Sequence, residues 1–592
     1  MLRFFNFFIV GLTLLLLGGC AVSPETDSSA DSSNNKESFS SDDDGSGVDK
    51  QVTSILAEEK IPDADFPPEV LYQLMVAELA GQRGQLDVAV ANYLAAAKAS
   101  REPAIAARAA RISMFTQALG EALEAAELWV ELEPESPDAR KALAPLLLTF
   151  GRAPEAELHY ERFVALSANK PDRGFSQISA QLSRDKNNVA ALSVMDKLLA
   201  KNKDLPYAWL AHAQLTMHQA KLEQALDSVD HALDLKSHWA PAVVLRARII
   251  GLQGDKQKAL DYLEDERGDE LQNDIGVGLS YARLLTEVGQ FEKAREEFER
   301  LNALKPRNPD VVYAAGVLAL QLKDYSTAEK RLKRVLSLGS RTLGAHFYLG
   351  RLYEKQENFT LALKHFLAVR HGEFYLGAQT RAASLLAELG RLEKARDLLH
   401  TLRVSTTQER VRIYLVEGEL LRKAGKYQEA LDFLSARLDE VPDDTSLRYA
   451  RALMAEKVGA LDVAEKDLLV IIEREPSNAQ ALNALGYTLA DRSQRLDEAL
   501  GYIERALAVK PEDAAIIDSM GWVQYRMGNH EKAVELLRRA MKLINDVEIA
   551  AHLGEVLWAM GNKQGALEVW EKALKENPNH KVLNEIMKRF GL

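Results

Sequence analysis

An alanine recurs along this chain at intervals of 31 to 36 residues, and this period constrains the fold more than any other feature. Alanine is common, but fifteen of them in one register are not accidental. The register consists of Ala89, Ala125, Ala156, Ala191, Ala225, Ala259, Ala294, Ala328, Ala362, Ala395, Ala430, Ala464, Ala499, Ala533 and Ala566. Such a period indicates a repeat architecture, because a single supersecondary unit cannot bury its apolar face alone and must stack on its neighbours.

Other residues keep a fixed place around each alanine, and the last repeat shows them most clearly. That repeat contains Leu553, Gly554, Leu557, Gly561, Ala566, Trp570, Ala573 and Pro578. These residues resemble the tetratricopeptide pattern, in which a large and a small residue open helix A and a glycine makes the turn. An alanine then lies where helices A and B cross, and a proline closes the unit. Alanine suits the crossing because helices packed about 8–10 Å apart need a small side chain there.

The tetratricopeptide resemblance covers roughly residues 68–578. It implies an all-α fold, a right-handed TPR superhelix (solenoid) of about 15 helix-turn-helix units. The match is weakest in residues 137–206, where Pro145 and Pro154 are expected to interrupt helices. Residues 579–592 are expected to form a C-terminal capping helix that covers the last exposed core face.

The N-terminus has the pattern of a targeting segment. Residues 1–19 read as a signal peptide, in which Arg3 is followed by an apolar run and then by small residues. Residues 17–20, Leu-Gly-Gly-Cys, resemble the lipobox of bacterial lipoproteins. In that family the cysteine sulfur receives a diacylglycerol, so the resemblance implies that Cys20, the only cysteine, is a lipid anchor. Because Ala21 rather than aspartate follows it, the resemblance implies an outer-membrane location facing the periplasm.

Residues 20–50 carry a net charge of −6, from eight acidic residues against two lysines, out of −13 for the whole chain. Their composition cannot bury enough apolar surface to offset the entropy of ordering, so we expect a flexible acidic tether after the lipidated cysteine. Residues 51–67 are expected to form an N-terminal helical arm, which either caps the repeat array or docks on a partner. The negative charge disfavours nucleic-acid binding, which needs a dense basic patch.

Motifs that carry enzyme chemistry are missing from the sequence. It contains no GxxxxGK[ST] phosphate loop, no HExxH and no GxSxG. Its twelve histidines form no helical i, i+4 pair, and His212 and His218, six residues apart, would face different directions. The sequence therefore predicts a protein that is not an enzyme and that holds no metal or cofactor.

Stacked repeats place their A helices side by side, which aligns the second, fifth, ninth and twelfth positions of successive repeats on one wall. Arginine and large aromatic residues at these positions predict a partner-binding groove, because these residue types carry most of the energy of protein interfaces. The predicted groove residues are Tyr207, Arg248, Arg283, Tyr313, Phe347, Arg351, Arg412, Arg422, Tyr449, Tyr487, Trp522, Tyr525 and Trp558. The register could slip by one or two positions, in which case some of them pack internally.

As a whole, the chain resembles the tetratricopeptide lipoproteins that partner carboxyl-terminal processing proteases. The resemblance rests on the signal peptide, the lipobox, the acidic tether and the very long array. It implies an adaptor that brings a periplasmic serine protease together with substrate proteins such as peptidoglycan hydrolases and so promotes their degradation. The alternative is an assembly factor for an outer-membrane machine, such as polysaccharide export, a pilus secretin or β-barrel insertion.

Overall fold

The computed structural model describes residues 67–184, 188–268, 270–492, 495–576 and 581–590. The predictions for the signal peptide, Cys20, the acidic tether, the arm up to residue 66 and Pro578 lie outside these ranges. Within them the chain forms 31 α-helices and no strand, which confirms the all-α prediction. None of these helices is long and apolar enough to cross a membrane.

The chain divides into two compact units, and the described residues up to Asp324 form the first, called the N-terminal unit. Its odd-numbered helices are the A helices of successive repeats, and its even-numbered helices are the B helices. The helices are α1 Pro68–Gln82, α2 Leu86–Ser100, α3 Pro103–Phe115, α4 Leu119–Leu132, α5 Pro137–Thr149, α6 Ala153–Leu166, α7 Pro171–Leu182, α8 Asn188–Lys201, α9 Pro206–His218, α10 Leu222–Leu235, α11 Ala240–Leu252, α12 Lys256–Glu266, α13 Ile275–Glu287, α14 Phe291–Leu304 and α15 Pro309–Gln321.

The described residues from Tyr325 onward form the C-terminal unit. Its helices are α16 Tyr325–Leu338, α17 Thr342–Lys355, α18 Phe359–Leu367, α19 Tyr375–Glu388, α20 Leu392–Thr401, α21 Thr407–Lys423, α22 Tyr427–Glu440, α23 Thr445–Val458, α24 Leu461–Arg474, α25 Ala479–Asp491, α26 Leu496–Val509, α27 Ala514–Arg526, α28 His530–Leu543, α29 Val547–Ala559, α30 Lys563–Glu576 and α31 Lys581–Arg589. In chain order, the first 30 described helices alternate between A and B, which is consistent with the fifteen units that the alanine period predicts.

The alanine register lies in the core. All fifteen register alanines are at most 1% exposed. In the C-terminal unit, glycines of helix A face large side chains of helix B. A Cβ on Gly350 would lie 2.6 Å from the Phe366 ring, and a Cβ on Gly521 would lie 2.8 Å from Leu537. The close approach of the two helices therefore requires small residues on both of them, which is the physical origin of the period.

The two prolines that were expected to interrupt helices do not do so. Pro154 lies in the first turn of α6, where a backbone N–H would have no acceptor within the helix. Pro145 lies inside α5, which nevertheless continues to Thr149. Proline at this position frees the carbonyl of Lys141, and the side-chain amide of Gln181 donates a hydrogen bond to that oxygen at 3.1 Å.

The ends of the described array differ. At the C-terminal end, α31 packs on the last repeat, with Leu583 fully buried and the ring of Phe590 5.2 Å from that of Trp558. At the N-terminal end, α1 exposes four large apolar side chains along its length. They are Leu71, Tyr72, Met75 and Leu79.

Candidate protein-binding surface

The predicted groove residues fall in both units. In the N-terminal unit, Tyr207 packs edge-on against Trp239, with ring centroids 5.2 Å apart, and the Lys236 ammonium lies 5.5 Å from the centre of the Tyr207 ring. The Arg283 guanidinium lies 3.9 Å from the Glu287 carboxylate on the same helix. The four predicted residues of this unit are half-buried; they are Tyr207, Arg248, Arg283 and Tyr313.

Three arginines of the C-terminal unit lie on three successive A helices. Arg351 is on α17, Arg381 on α19 and Arg412 on α21. The Nη1 of Arg381 donates to both oxygens of Glu354, at 2.9 and 3.1 Å, and Glu354 follows Arg351 by one turn of α17. Helix α19 also contacts α21. We call Arg351, Arg381 and Arg412 the arginine cluster.

The arginine cluster has more positive charges than carboxylate partners. Glu354 pairs with Arg381, whereas Arg351 and Arg412 form no ion pair or side-chain hydrogen bond with the residues that the structure describes. Burial, followed by the charge of Arg381, lowers the pKa of half-buried Arg351. Partial desolvation and then the same charge lower the pKa of the more exposed Arg412. Both directions are those expected of partly desolvated cations, with a smaller contribution from the repulsion of Arg381.

Sequence reasoning found Arg351 and Arg412 but missed Arg381. Arg351 occupies the ninth position of its repeat, Arg381 the sixth position of the next repeat and Arg412 the second position of the one after. The sixth position was not counted as part of the wall. The position of the arginine changes from one repeat to the next. A search that allowed for this change, instead of using the same positions in every repeat, would have placed the three arginines together.

An aromatic group flanks the arginine cluster on α17. The predicted Phe347 stacks on Phe374 with ring centroids 5.0 Å apart, and Tyr348 meets Phe374 edge-on at 5.9 Å. Arg351 lies one turn farther along α17 than Tyr348. Phe374 immediately precedes α19, so the aromatic group joins the same two repeats as Arg351 and Arg381.

A second cluster lies on the A helices near the C-terminal end of the chain. The Nδ1 of His552 is 3.0 Å from both oxygens of Asp518, and the His552 ring stacks on Trp522 at 4.4 Å. Burial alone would lower the pKa of His552, but the Asp518 carboxylate outweighs it and the pKa is raised. Tyr487 Oη is 3.5 Å from His552 Nε2, and burial raises the pKa of Tyr487 well above its usual value.

The remaining predicted residues of the C-terminal unit vary in burial. Burial raises the pKa of half-buried Tyr449 to about 12. Tyr525 is half-buried beside Trp522, with ring centroids 5.2 Å apart. Arg422 is held by Glu419, which accepts hydrogen bonds from its Nε and Nη2 at 2.6 and 2.7 Å.

Two predicted groove residues contribute mainly to the interior. Trp522 is 5% exposed and belongs to the core around α25 and α27, so it offers little surface to a partner. Trp558 stacks on Trp570 with ring centroids 5.8 Å apart and also contacts Phe590, the residue that follows α31. A position on the wall of helix A therefore does not by itself make an aromatic side chain accessible.

The histidine that the sequence analysis considered for metal binding is a core residue. His212 is buried, with Nδ1 2.8 Å from Ser228 Oγ and Nε2 2.9 Å from the Asp196 carboxylate. Both ring nitrogens thus have protein partners. Among the described residues, no group of three or more His, Cys, Asp or Glu side chains is arranged to hold a metal ion.

Comparison with known proteins identifies the repeat. Tetratricopeptide-repeat families match five segments, which are residues 285–342, 380–445, 449–515, 519–543 and 547–580. The chain is 33% identical over 487 residues to the TPR repeat-containing protein PA4667 of Pseudomonas aeruginosa, and the match covers 82% of each chain.

More distant matches cover smaller parts. Cellulose synthase operon protein C of Pseudomonas fluorescens is 22% identical over 59% of this chain, which spans only 32% of that longer protein. A solved structure of a thermophilic TPR protein of Thermus thermophilus is 26% identical over 31% of this chain and 99% of its own length, with a TM-score of 0.29. That TM-score is too low to compare the arrangement of the repeats.

Proposed function

Because the chain belongs to the tetratricopeptide-repeat proteins, we propose that it is a membrane-anchored periplasmic scaffold that brings an enzyme together with its protein substrates. Tetratricopeptide repeats bind other proteins, and proteins built from them are typically not enzymes. The observation that carries the proposal is the long series of tetratricopeptide helices, and the arginine cluster, with more charges than carboxylate partners, is the part of its surface that best suits a partner. Such a cluster suits recognition of a partner, since arginine is enriched where protein interfaces bind most strongly.

The enzyme we propose is a periplasmic carboxyl-terminal processing serine protease, and its substrates include peptidoglycan hydrolases. The support is the resemblance of the whole chain, from signal peptide and lipobox to acidic tether and long array, to lipoprotein partners of such proteases. Cys20 would carry the lipid and place the scaffold on the outer membrane, facing the periplasm. A scaffold that holds two partners raises their effective concentration to the millimolar range, which accelerates turnover when substrate is scarce.

A second candidate is an assembly factor for an outer-membrane polysaccharide-export machine. The partial match to Cellulose synthase operon protein C favours it, but this chain spans only 32% of that protein. The two candidates predict different partners, a soluble protease in the first and components of an export complex in the second.

Reconstitution tests the scaffold. The protease and hydrolase of the same bacterium are purified, and hydrolase degradation is measured at sub-micromolar concentrations with and without the lipoprotein. We expect degradation at least ten times faster with it, and a return to the basal rate when excess scaffold separates the two partners onto different molecules. Equal rates at every scaffold concentration would exclude the adaptor function.

The anchor is tested separately in cells. The Cys20→Ser variant should leave the outer-membrane fraction, whereas Ser23→Ala, which changes a nearby residue outside the lipobox, should stay in it. If the Cys20→Ser protein still fractionates with the outer membrane, another segment holds it there. Co-purification of export components in place of the protease would favour the second candidate.

A further inference from the structure

The arginine cluster contrasts with two exposed arginines of the C-terminal unit that have carboxylate partners. Arg474 pairs with Asp443 at 2.8 Å, and Arg539 pairs with Glu512 at 2.6 Å. These pairs are largely exposed, so water would have solvated the charges even without a partner. In the arginine cluster the half-buried Arg351 has less water and no carboxylate of its own.

The geometry explains why Glu354 cannot balance the cluster. Both of its oxygens accept from Nη1 of Arg381, which fixes the carboxylate on the α19 side of α17. The one carboxylate that pairs within the cluster is therefore engaged by Arg381, while Arg351 and Arg412 lack a direct partner among the described residues. Cations held together in this way cost free energy in the unliganded protein, and a bound anion would recover it.

Continuing from the proposed scaffold function, we propose that Arg351, Arg381 and Arg412 bind the carboxylates of an acidic segment of a protein partner. Each guanidinium can donate two parallel hydrogen bonds to one carboxylate. The three arginines lie on three successive A helices, so an extended segment crossing α17, α19 and α21 would present carboxylates to them in turn. The aromatic group of Phe347, Tyr348 and Phe374 provides an apolar flank for the side chains between the acids.

The charge of the rest of the chain favours a peptide with matched groups over anions in general. The whole chain carries a net charge of −13. Acidic molecules are therefore repelled from most of the surface and attracted at the arginine cluster. A bound segment would lie against a local positive site within a negative protein, which confers specificity as well as affinity.

The test uses fluorescent ten-residue peptides and the full-length lipoprotein in detergent. One peptide carries four Glu or Asp side chains and an amidated C-terminus; its matched control carries Gln and Asn at the same places. A third peptide has the control sequence with a free C-terminal carboxylate. Anisotropy titrations then separate side-chain carboxylates from a terminal one. We expect the acidic peptide to bind at least ten times more tightly than the amide control, and less tightly as salt is added.

The key variant is Arg351→Gln with Arg412→Gln, which removes the two arginines without direct partners and keeps the Arg381–Glu354 pair. Its control is Arg474→Gln with Arg539→Gln, which removes the same charge from the same unit at paired, exposed sites. The key variant should bind the acidic peptide at least ten times more weakly, and the control should bind it within twofold of the wild type.

Thermal stability distinguishes a binding site from a structural role. Without peptide, the key variant should melt at or above the wild-type temperature, because it removes repelling cations; a structural cluster would be destabilised by its loss. Equal binding of the acidic and amide peptides, or wild-type affinity in the key variant, would overturn the inference. In either case, scaffold-dependent degradation by the protease could persist, so this failure would not be a failure of the proposed function.

Discussion

Gly486 of α25 lies against the backbone of Ala499 in α26 so closely that a Cβ on Gly486 would be 2.9 Å from the Ala499 carbonyl oxygen. The same Cβ would lie 2.5 Å from Cγ1 of Ile503. A backbone oxygen cannot rotate away as a flexible side chain can. Gly486 and register residue Ala499 therefore set the distance between the two helices of this repeat.

We expect Gly486→Ala to lower the free energy of unfolding by about 1–3 kcal/mol, since added bulk in a packed core moves the backbone. The control is Gly501→Ala on α26, where a Cβ would meet no atom within 4 Å. That substitution should stabilise by about 0.5–1 kcal/mol, because glycine is unfavourable inside a helix. Chemical denaturation followed by circular dichroism measures both. Equal and small effects would show that the helices can separate without cost.

The sequence predicted the helical pairs because a small residue, the register alanine, recurs at each helix crossing, and all fifteen register alanines are indeed buried. It could not predict the outcome at Pro145. The amide of Gln181, 40 residues from Lys141, replaces the hydrogen bond that this proline removes. Helix continuity at Pro145 thus depends on a contact between repeats, which no local pattern contains.

The candidate site was only partly predictable for a related reason. The repeat register placed Arg351 and Arg412 on the wall formed by the A helices. It did not predict which side chains lie beside them, so Arg381 was missed. Register also placed Trp522 there, although its ring stacks on His552 of the next A helix and is buried. Exposure is decided by the side chains of adjoining repeats, and these do not follow the period.

Buried Asp467 of α24 gives the second prediction. Its side chain is 1% exposed and accepts hydrogen bonds from Nε and Nη2 of Arg451, both at 2.7 Å, and from Nη1 of Arg448 at 3.1 Å. Asp467→Ala should destabilise by about 3–5 kcal/mol, because it leaves two partly buried guanidinium groups without their partner.

The matched control for Asp467 is Asp443→Ala, which breaks the Arg474 ion pair. The Asp443 side chain is 84% exposed, so its loss should cost less than about 1 kcal/mol. Urea titration measures both variants. If Asp467→Ala were as mild as Asp443→Ala, the buried ion pairs would contribute no more than surface ones.

The third prediction concerns pH. His346 Nδ1 and His365 Nδ1 are 2.9 Å apart, so one ring donates to the other only while at least one is neutral. Burial, then His346, Lys364 and Lys333, lowers the pKa of His365 to about 4, against an opposing effect of Glu329. Burial and Lys364 also lower the pKa of His346, and Tyr353 stacks on His365 at a centroid distance of 5.4 Å.

A lowered pKa means that the unfolded chain binds more protons than the folded one between about pH 6.5 and 4. Stability from this pair is therefore present above pH 6.5 and is lost as the pH falls towards 4. For His365, which is only partly buried, we expect a loss of about 1–2 kcal/mol after allowance for solvent screening. His365→Gln should remove that pH dependence, whereas His218→Gln, at an exposed histidine, should keep it. Urea titrations at several pH values decide between them.

The last prediction concerns the final helix. Trp558 of α29 contacts Phe590 at 5.2 Å and Trp570 at 5.8 Å, while Phe590 stacks on Trp570 at 5.5 Å. The three rings join α29, α30 and the residue that follows α31. Trp558→Ala should cost about 3 kcal/mol or more if the cavity cannot collapse, and the loss should appear first in α31, which packs on α29 beside this ring. Hydrogen exchange should therefore accelerate most in residues 581–590, less in α29 and α30, and very little before α25.

The control for Trp558→Ala is Tyr427→Ala, which truncates an exposed aromatic residue of α22 and should leave exchange in α31 unchanged. Uniform acceleration over the whole described chain in Trp558→Ala would mean that the array unfolds as one cooperative body, and the nearest-neighbour account of its stability would then be wrong.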